Sequence, residues 1–185
     1  CLAVTPKGQQ LLKDDEVLRG KITTEGLNAV ISAGEHKGKS ALFCLACTTE
    51  GRQLLIDDEA LRSKITTEGL NALAAIGNNN GKSALWFLAS RYISRQLLKD
   101  DEVLRSKISV EGLNAIVVEG LDSGRSALWS LVSCPKGWSL LNDYKVLYEN
   151  ISLTSIVSTF LHDNNDGSVQ RYSVLAHILE DKNKH

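Results

Sequence analysis

The sequence contains no methionine, and no run of apolar residues in it approaches the roughly 20 needed for a membrane-spanning helix. No excess of positive charge is present either. Lys plus Arg number 21 against 22 for Asp plus Glu, a formal net charge of -1. That balance gives no general electrostatic drive toward nucleic acid or an anionic membrane, so neither is expected as a partner. The start of the chain lacks the pattern of a secretory signal. Four cysteines, Cys1, Cys44, Cys47 and Cys134, are too few and too irregularly placed for a disulfide framework. As thiols at apolar positions they suit a reducing compartment, which places the expected location in the cytoplasm.

What is present is repetition. Lys-Ile-Thr-Thr-Glu-Gly-Leu-Asn-Ala runs from Lys21 to Ala29 and again from Lys64 to Ala72, and a close copy runs from Lys107 to Ala115, each 43 residues after the last. A fixed step of this size is the signature of a tandem repeat, in which each unit packs on its neighbours. The whole of 1–185 reads as one repeat domain, with steps near 1–38, 39–81, 82–124 and 125–185. Cys1-Leu2-Ala3 aligns with Cys44-Leu45-Ala46, again 43 apart. With the missing methionine, this predicts a fragment that opens inside a helix of an earlier unit.

The second unit serves as the type. Glu50 to Ile56 predicts a short helix with a leucine pair, and Asp57-Asp58-Glu59 a second helix through Ile65. Asp58 and Arg62, four apart, predict a weak surface pair. Thr66 predicts the N-cap of a third helix through Ile76, closed by Gly77. Ser83 predicts the cap of an apolar last helix, Ala84 to Ser90. Leu61, Ile65, Leu70, Leu73, Leu85 and Leu88 recur as apolar residues and form the expected core. No strict alternation points to a strand. In the diverged fourth unit a last helix is expected over Tyr172 to Glu180. The fold class is therefore all-α: an α-solenoid of about four units, each with three to four helices, the last diverged as a cap.

The period resembles that of armadillo and HEAT units, about 40–47 residues. Gly81-Lys82-Ser83-Ala84-Leu85 with Leu88-Ala89 also resembles the ankyrin pattern, although ankyrin units run about 33 residues. A looser likeness links the chain to repeat segments of secreted bacterial effectors, which would imply delivery into a host cell. These resemblances imply a helical scaffold that binds proteins.

Motifs that suggest chemistry fall short on spacing. Gly81-Lys82-Ser83 lacks the four-residue gap and the preceding strand of a phosphate loop. Cys44-Leu45-Ala46-Cys47 is a lone pair where structural zinc needs four ligands. Asp163-Asn164-Asn165-Asp166-Gly167 reads as a turn, not a calcium loop. The histidines form no cluster. Catalytic residues, metal ligands and cofactors are accordingly not expected.

Partner-binding candidates come from two patterns. Asn28, Asn71 and Asn114 recur inside a helix, where asparagine is a poor former. Either they bridge units, or, as in peptide-binding armadillo proteins, Asn71 and Asn114 grip a partner's backbone. The second pattern is variation. Copies differ most in the loop before the last helix and at its exit, where Arg91 and Tyr92 lie and where Trp138 marks the next unit. Arg, Tyr and Trp are common interface anchors. The expected function is a non-catalytic scaffold that binds a protein or peptide, acting as a monomer without a small-molecule cofactor. The alternative is a helical accessory domain of a larger enzyme or effector.

Overall fold

The computed structural model describes residues 2–134, residues 137, 139 and 140, and the backbone of 159–163 and 169–173. Among these residues are twelve α-helices, two short 3-10 helices and a two-stranded hairpin. The first unit holds α1 (Pro6–Asp14), α2 (Glu16–Gly20) and α3 (Thr24–Asn28). The second holds α4 (Ala41–Cys47), α5 (Thr49–Asp57), α6 (Glu59–Ser63) and α7 (Thr67–Asn71). The third repeats the set as α8 (Ala84–Ser90), α9 (Tyr92–Asp100), α10 (Glu102–Arg105) and α11 (Val110–Asn114), and α12 (Ala127–Val132) opens the fourth.

Short helices need caps, because four backbone N–H groups at each start have no partner inside the helix. The sequence supplies them at the same places each time. The Thr23, Thr66 and Ser109 hydroxyls accept from Gly26, Gly69 and Gly112 N–H at 2.9–3.0 Å. Ser40, Ser83 and Ser126 cap α4, α8 and α12 in the same way. Asp15, Asp58 and Asp101 each close one helix and cap the next.

Each helix packs on its own counterpart one unit further on: α4 on α8, α8 on α12, α7 on α11 and α6 on α10. The core is accordingly a continuous column. Leu27, Leu70 and Leu113 are fully buried at equivalent positions, as are Leu42, Leu85 and Leu128. Leu61, Ile65, Leu70, Leu85 and Leu88 are buried as expected, but Leu73 is 43% exposed.

The third helix of the type unit accounts for that difference. It ends at Asn71, not Ile76, and Gly77 is not its cap. Ala74 N–H donates to the Lys82 carbonyl (2.8 Å) and Gly81 N–H returns to the Ala74 carbonyl (2.9 Å), folding residues 74–82 into a narrow finger. The same pair of bonds forms at Ile31 with Lys39 and Gly38, and at Val117 with Arg125 and Gly124. Leu73 therefore sits in an extended arm, outside the helix. Adjacent fingers join through Ala75 N–H to the Lys37 carbonyl (3.1 Å) and Val118 N–H to the Asn80 carbonyl (3.0 Å). Gly81 meets two demands there. Its φ is +85°, and a Cβ would stand 2.5 Å from the Ile116 carbonyl of the next finger.

The hairpin is the second departure. Strands β1 (Thr159–Asp163) and β2 (Val169–Ser173) pair antiparallel, with Thr159 opposite Ser173 and Asp163 opposite Val169. Tyr172 and Ser173, expected to open a helix, are therefore in a strand. Thr-Phe-Leu and Val-Gln-Arg-Tyr carry the β-branched and aromatic residues that favour extended backbone. Helical structure nonetheless accounts for all the regular elements of residues 2–134. The expected turn at 164–167, the remaining fourth-unit positions and Cys1 lie outside the described residues.

The Asp and Arg runs form a chain of ion pairs between units, not within them. Arg19 Nε is 2.8 Å from Asp58 Oδ2, and Arg62 Nε is 2.8 Å from Asp101 Oδ2. The expected surface pair Asp58–Arg62 is thus replaced by two bridges across unit boundaries. Each arginine also ties down the end of a helix in its own unit: Arg62 Nη1 donates to the Leu55 and Ile56 carbonyls at 2.9 and 2.7 Å. Burial pushes the Asp58 and Asp101 carboxyls up. The backbone N–H groups of Leu61 and Leu104 and the facing guanidiniums outweigh that and hold both below the usual range. A carboxyl lowered by folding stabilises fully above its unfolded pKa, about 3.9, and that stabilisation disappears as pH falls through the folded value. Urea-unfolding midpoints should therefore fall steeply below about pH 4. The Asp58→Asn, Asp101→Asn double variant should be less stable at pH 7 yet show a shallower decline. An equal decline in both proteins would contradict this account.

Candidate partner-binding clefts

The recurring asparagines occupy the last residue of α3, α7 and α11, where helix propensity matters less than in an interior. Asn71 Nδ2 donates to the Thr67 carbonyl of its own helix (2.6 Å) and to the Lys107 carbonyl of the next unit (2.8 Å), while its Oδ1 accepts from Ser109 N–H (3.2 Å). Asn28 makes the same set to Thr24, Lys64 and Thr66 at 2.6, 2.7 and 3.0 Å. Asn114 donates to the Val110 carbonyl at 2.8 Å. The glycine of the repeated phrase completes the fit: a Cβ on Gly69 would overlap the Asn28 side chain, and one on Gly112 would overlap that of Asn71. The amides of Asn28 and Asn71 are thus spent on bridging units.

Arg91 and Tyr92 lie together at the start of α9, both exposed, in two clefts that meet at Arg91. The first cleft, about 260 Å³, lies between the second and third units. Thr49, Arg52, Gln53 and Ile56 of α5 form one wall, and Arg91, Tyr92 and Ile93 the other. The second, about 190 Å³, lies between the third unit and α12; Trp86, Arg91, Arg95, Asp122, Arg125 and Trp129 line it. The structure does not bring Asn71 or Asn114 into either cleft. Trp138 lies outside the described residues.

The sequence pattern does not single out Arg95 or Arg125 as lining residues. Lys82, of the Gly81-Lys82-Ser83 motif, lines neither cleft and is buried. Its Nζ lies 4.5 Å from the centre of the Trp86 ring and 2.8 Å from Asp122 Oδ2. Arg125 repeats the arrangement, 4.7 Å above Trp129 with Nη1 2.9 Å from Asp122 Oδ1. The signal for this was a basic residue four positions before an aromatic, in Lys39–Phe43, Lys82–Trp86 and Arg125–Trp129. Arg95 Nη1 reaches the Ala89 carbonyl at 3.1 Å and the Ser130 carbonyl at 3.4 Å. Arg52 Nη1 holds the Ala46 carbonyl at 2.8 Å. Burial pushes the Arg52 guanidinium below its ordinary value, and the nearby Arg91 charge adds to that.

Cys44 is part of the core, and Cys47 packs half-buried against it. Burial pushes the Cys44 and Cys47 thiols up, leaving less of the reactive thiolate. No group of three or more His, Cys, Asp or Glu suited to a metal occurs among the described residues. No helix among them is long and apolar enough to cross a membrane. Compared with family models, curated proteins and solved structures, the chain matches none.

The Asn71 geometry gives a test of what that side chain does. Asn71→Ala removes three hydrogen bonds and strands the Lys107 carbonyl and Ser109 N–H, which should cost about 2–3 kcal/mol of unfolding free energy. An unchanged or raised denaturation midpoint would show that the bridge contributes nothing.

Proposed function

We propose that the chain is an α-solenoid module that binds a protein or peptide partner across the Arg91–Tyr92 surface and has no catalytic role of its own. One observation carries this reading. The residue before the second helix is Thr5 in the first unit and Thr48 in the second, and each hydroxyl caps that helix at 3.1 Å. In the third unit the position is Arg91, which makes no side-chain cap bond. Losing such a cap costs about 0.5–2 kcal/mol. A scaffold position has been given up, and its replacement is an exposed arginine at the junction of two clefts.

The surroundings support the same reading. Most residues repeated between units are consumed in caps, core and bridges, whereas Arg91, Tyr92 and Ile93, which differ from their counterparts in the other units, lie at the openings. Variable positions on one face of a repeat stack commonly form its binding face. A finger followed by a helix pair favours the ankyrin-like side of the resemblance, whose unit is a β-turn with two helices, with α6 and α7 as added elements.

The test is capture of a partner by cross-linking from Arg91 or Tyr92 positions, followed by binding measurements on Arg91→Ala, Tyr92→Ala and Trp138→Ala. At least one should weaken binding by about 1–2 kcal/mol with an unchanged melting temperature. Undiminished binding by all three would place the partner elsewhere.

A further inference from the structure

We propose that the cleft between the third unit and α12 receives the carboxylate side chain of an acidic peptide segment. This rests on the reading of Arg91 as part of a partner surface and deepens it by naming the chemistry recognised. Arg91, Arg95 and Arg125 line the cleft, and Arg52 lies beyond Arg91 in the adjoining one. The lining contains one acid, Asp122, and both its carboxylate oxygens are already engaged, by Lys82 and Arg125. Among the described residues, neither Arg91 nor Arg95 has an ion-pair partner. The result is a local positive charge on a chain whose net charge is -1.

A second observation points to a missing ligand. Trp86 lines the cleft and is 5% exposed, yet its Nε1 has no hydrogen-bond partner among the described residues. Arg95 Nε is likewise buried without one. Two unsatisfied donors, one of them part of the Arg95 guanidinium, in a cleft that also holds Arg91 and Arg125 call for an acceptor with negative charge, and buried donors are rarely left without partners. A volume of about 190 Å³ holds one side-chain carboxylate but leaves no room for a nucleotide. The adjoining cleft shares Arg91 and adds Ile56, Tyr92 and Ile93. It suits an apolar residue next to the acid in the bound segment.

The test uses the full chain, an octa-glutamate peptide, its octa-glutamine counterpart and an oligothymidine of similar length. Tryptophan fluorescence and calorimetry report binding. Two charge reversals are compared, Arg91→Glu in the cleft and Lys21→Glu on the exposed surface of the first unit, each checked for an unchanged melting temperature. Octa-glutamate should bind and octa-glutamine should not. Arg91→Glu should weaken binding by about tenfold or more and Lys21→Glu by less than about twofold. Equal binding of the two peptides, equal weakening by the two reversals, or tighter binding of oligothymidine would each overturn the proposal. If octa-glutamate fails to bind while a captured partner still depends on Arg91 and Tyr92, the carboxylate assignment falls and the partner surface stands. If the partner depends on neither, both fall.

Discussion

A side-chain amide holding the backbone of the next unit is the interaction on which the rest of the structure depends. Asn28 and Asn71 each bond a carbonyl and an N–H that flank the start of the following short helix. Five-residue helices such as α3, α7 and α11 are far too short to persist alone in water. They exist because each is fixed from outside at its start, by its own Ser or Thr cap and, for α7 and α11, by the asparagine of the unit before. Gly69 and Gly112 have no side chain because that amide occupies the space. The phrase Glu-Gly-Leu-Asn is thus two halves of one joint: the glycine receives, the asparagine inserts, and the leucine fills the column behind them.

The ion pairs act at the same boundaries by different physics. Arg19 and Arg62 each span a boundary to an aspartate that is already a helix cap. Each aspartate is already held by one backbone donor, Leu61 or Leu104 N–H, so its position is largely set before the guanidinium arrives and less conformational entropy is lost in forming the pair. This makes the contact stronger than an ordinary exposed pair, typically worth about 0–1 kcal/mol. The fingers add a third layer, joined edge to edge through backbone bonds. Polar contacts between units therefore fix register, while the leucine column supplies most of the favourable free energy through burial.

Much of this was legible in the sequence, and the failures have identifiable causes. The step of 43, the Ser and Thr caps and the buried leucines followed from spacing alone. The third helix was read too long, because Leu73 and Ile76 continue an apolar pattern that suits a helix and an extended arm equally well. Only the bonds between Ala74 and Lys82 distinguish the two, and these are tertiary. Asp58 and Arg62 were paired by helical proximity, but a closer partner lay one unit away. The hairpin was missed because Thr159–Asp163 is short and its alternation is weak. As to the clefts, comparing copies points to Arg91 and Tyr92, whereas Arg125 was hidden because Lys39 and Lys82 hold the equivalent positions, and Arg95 because the preceding unit also carries arginine there, Arg52, so both resemble scaffold.

The joints also govern how such an array can change in length. Asn28 meets Lys64 and Thr66 in the same way that Asn71 meets Lys107 and Ser109. Excising 43 residues at any phase between these joints would bring Asn28 against Lys107 and Ser109 and restore every bond. Excising any other number would leave the amide facing the wrong groups. Length is therefore quantised. Recombination within the gene is free to add or remove whole units at little cost, while single-residue insertions inside a joint are disfavoured. The positions outside the joints are then left to diversify independently, copy by copy.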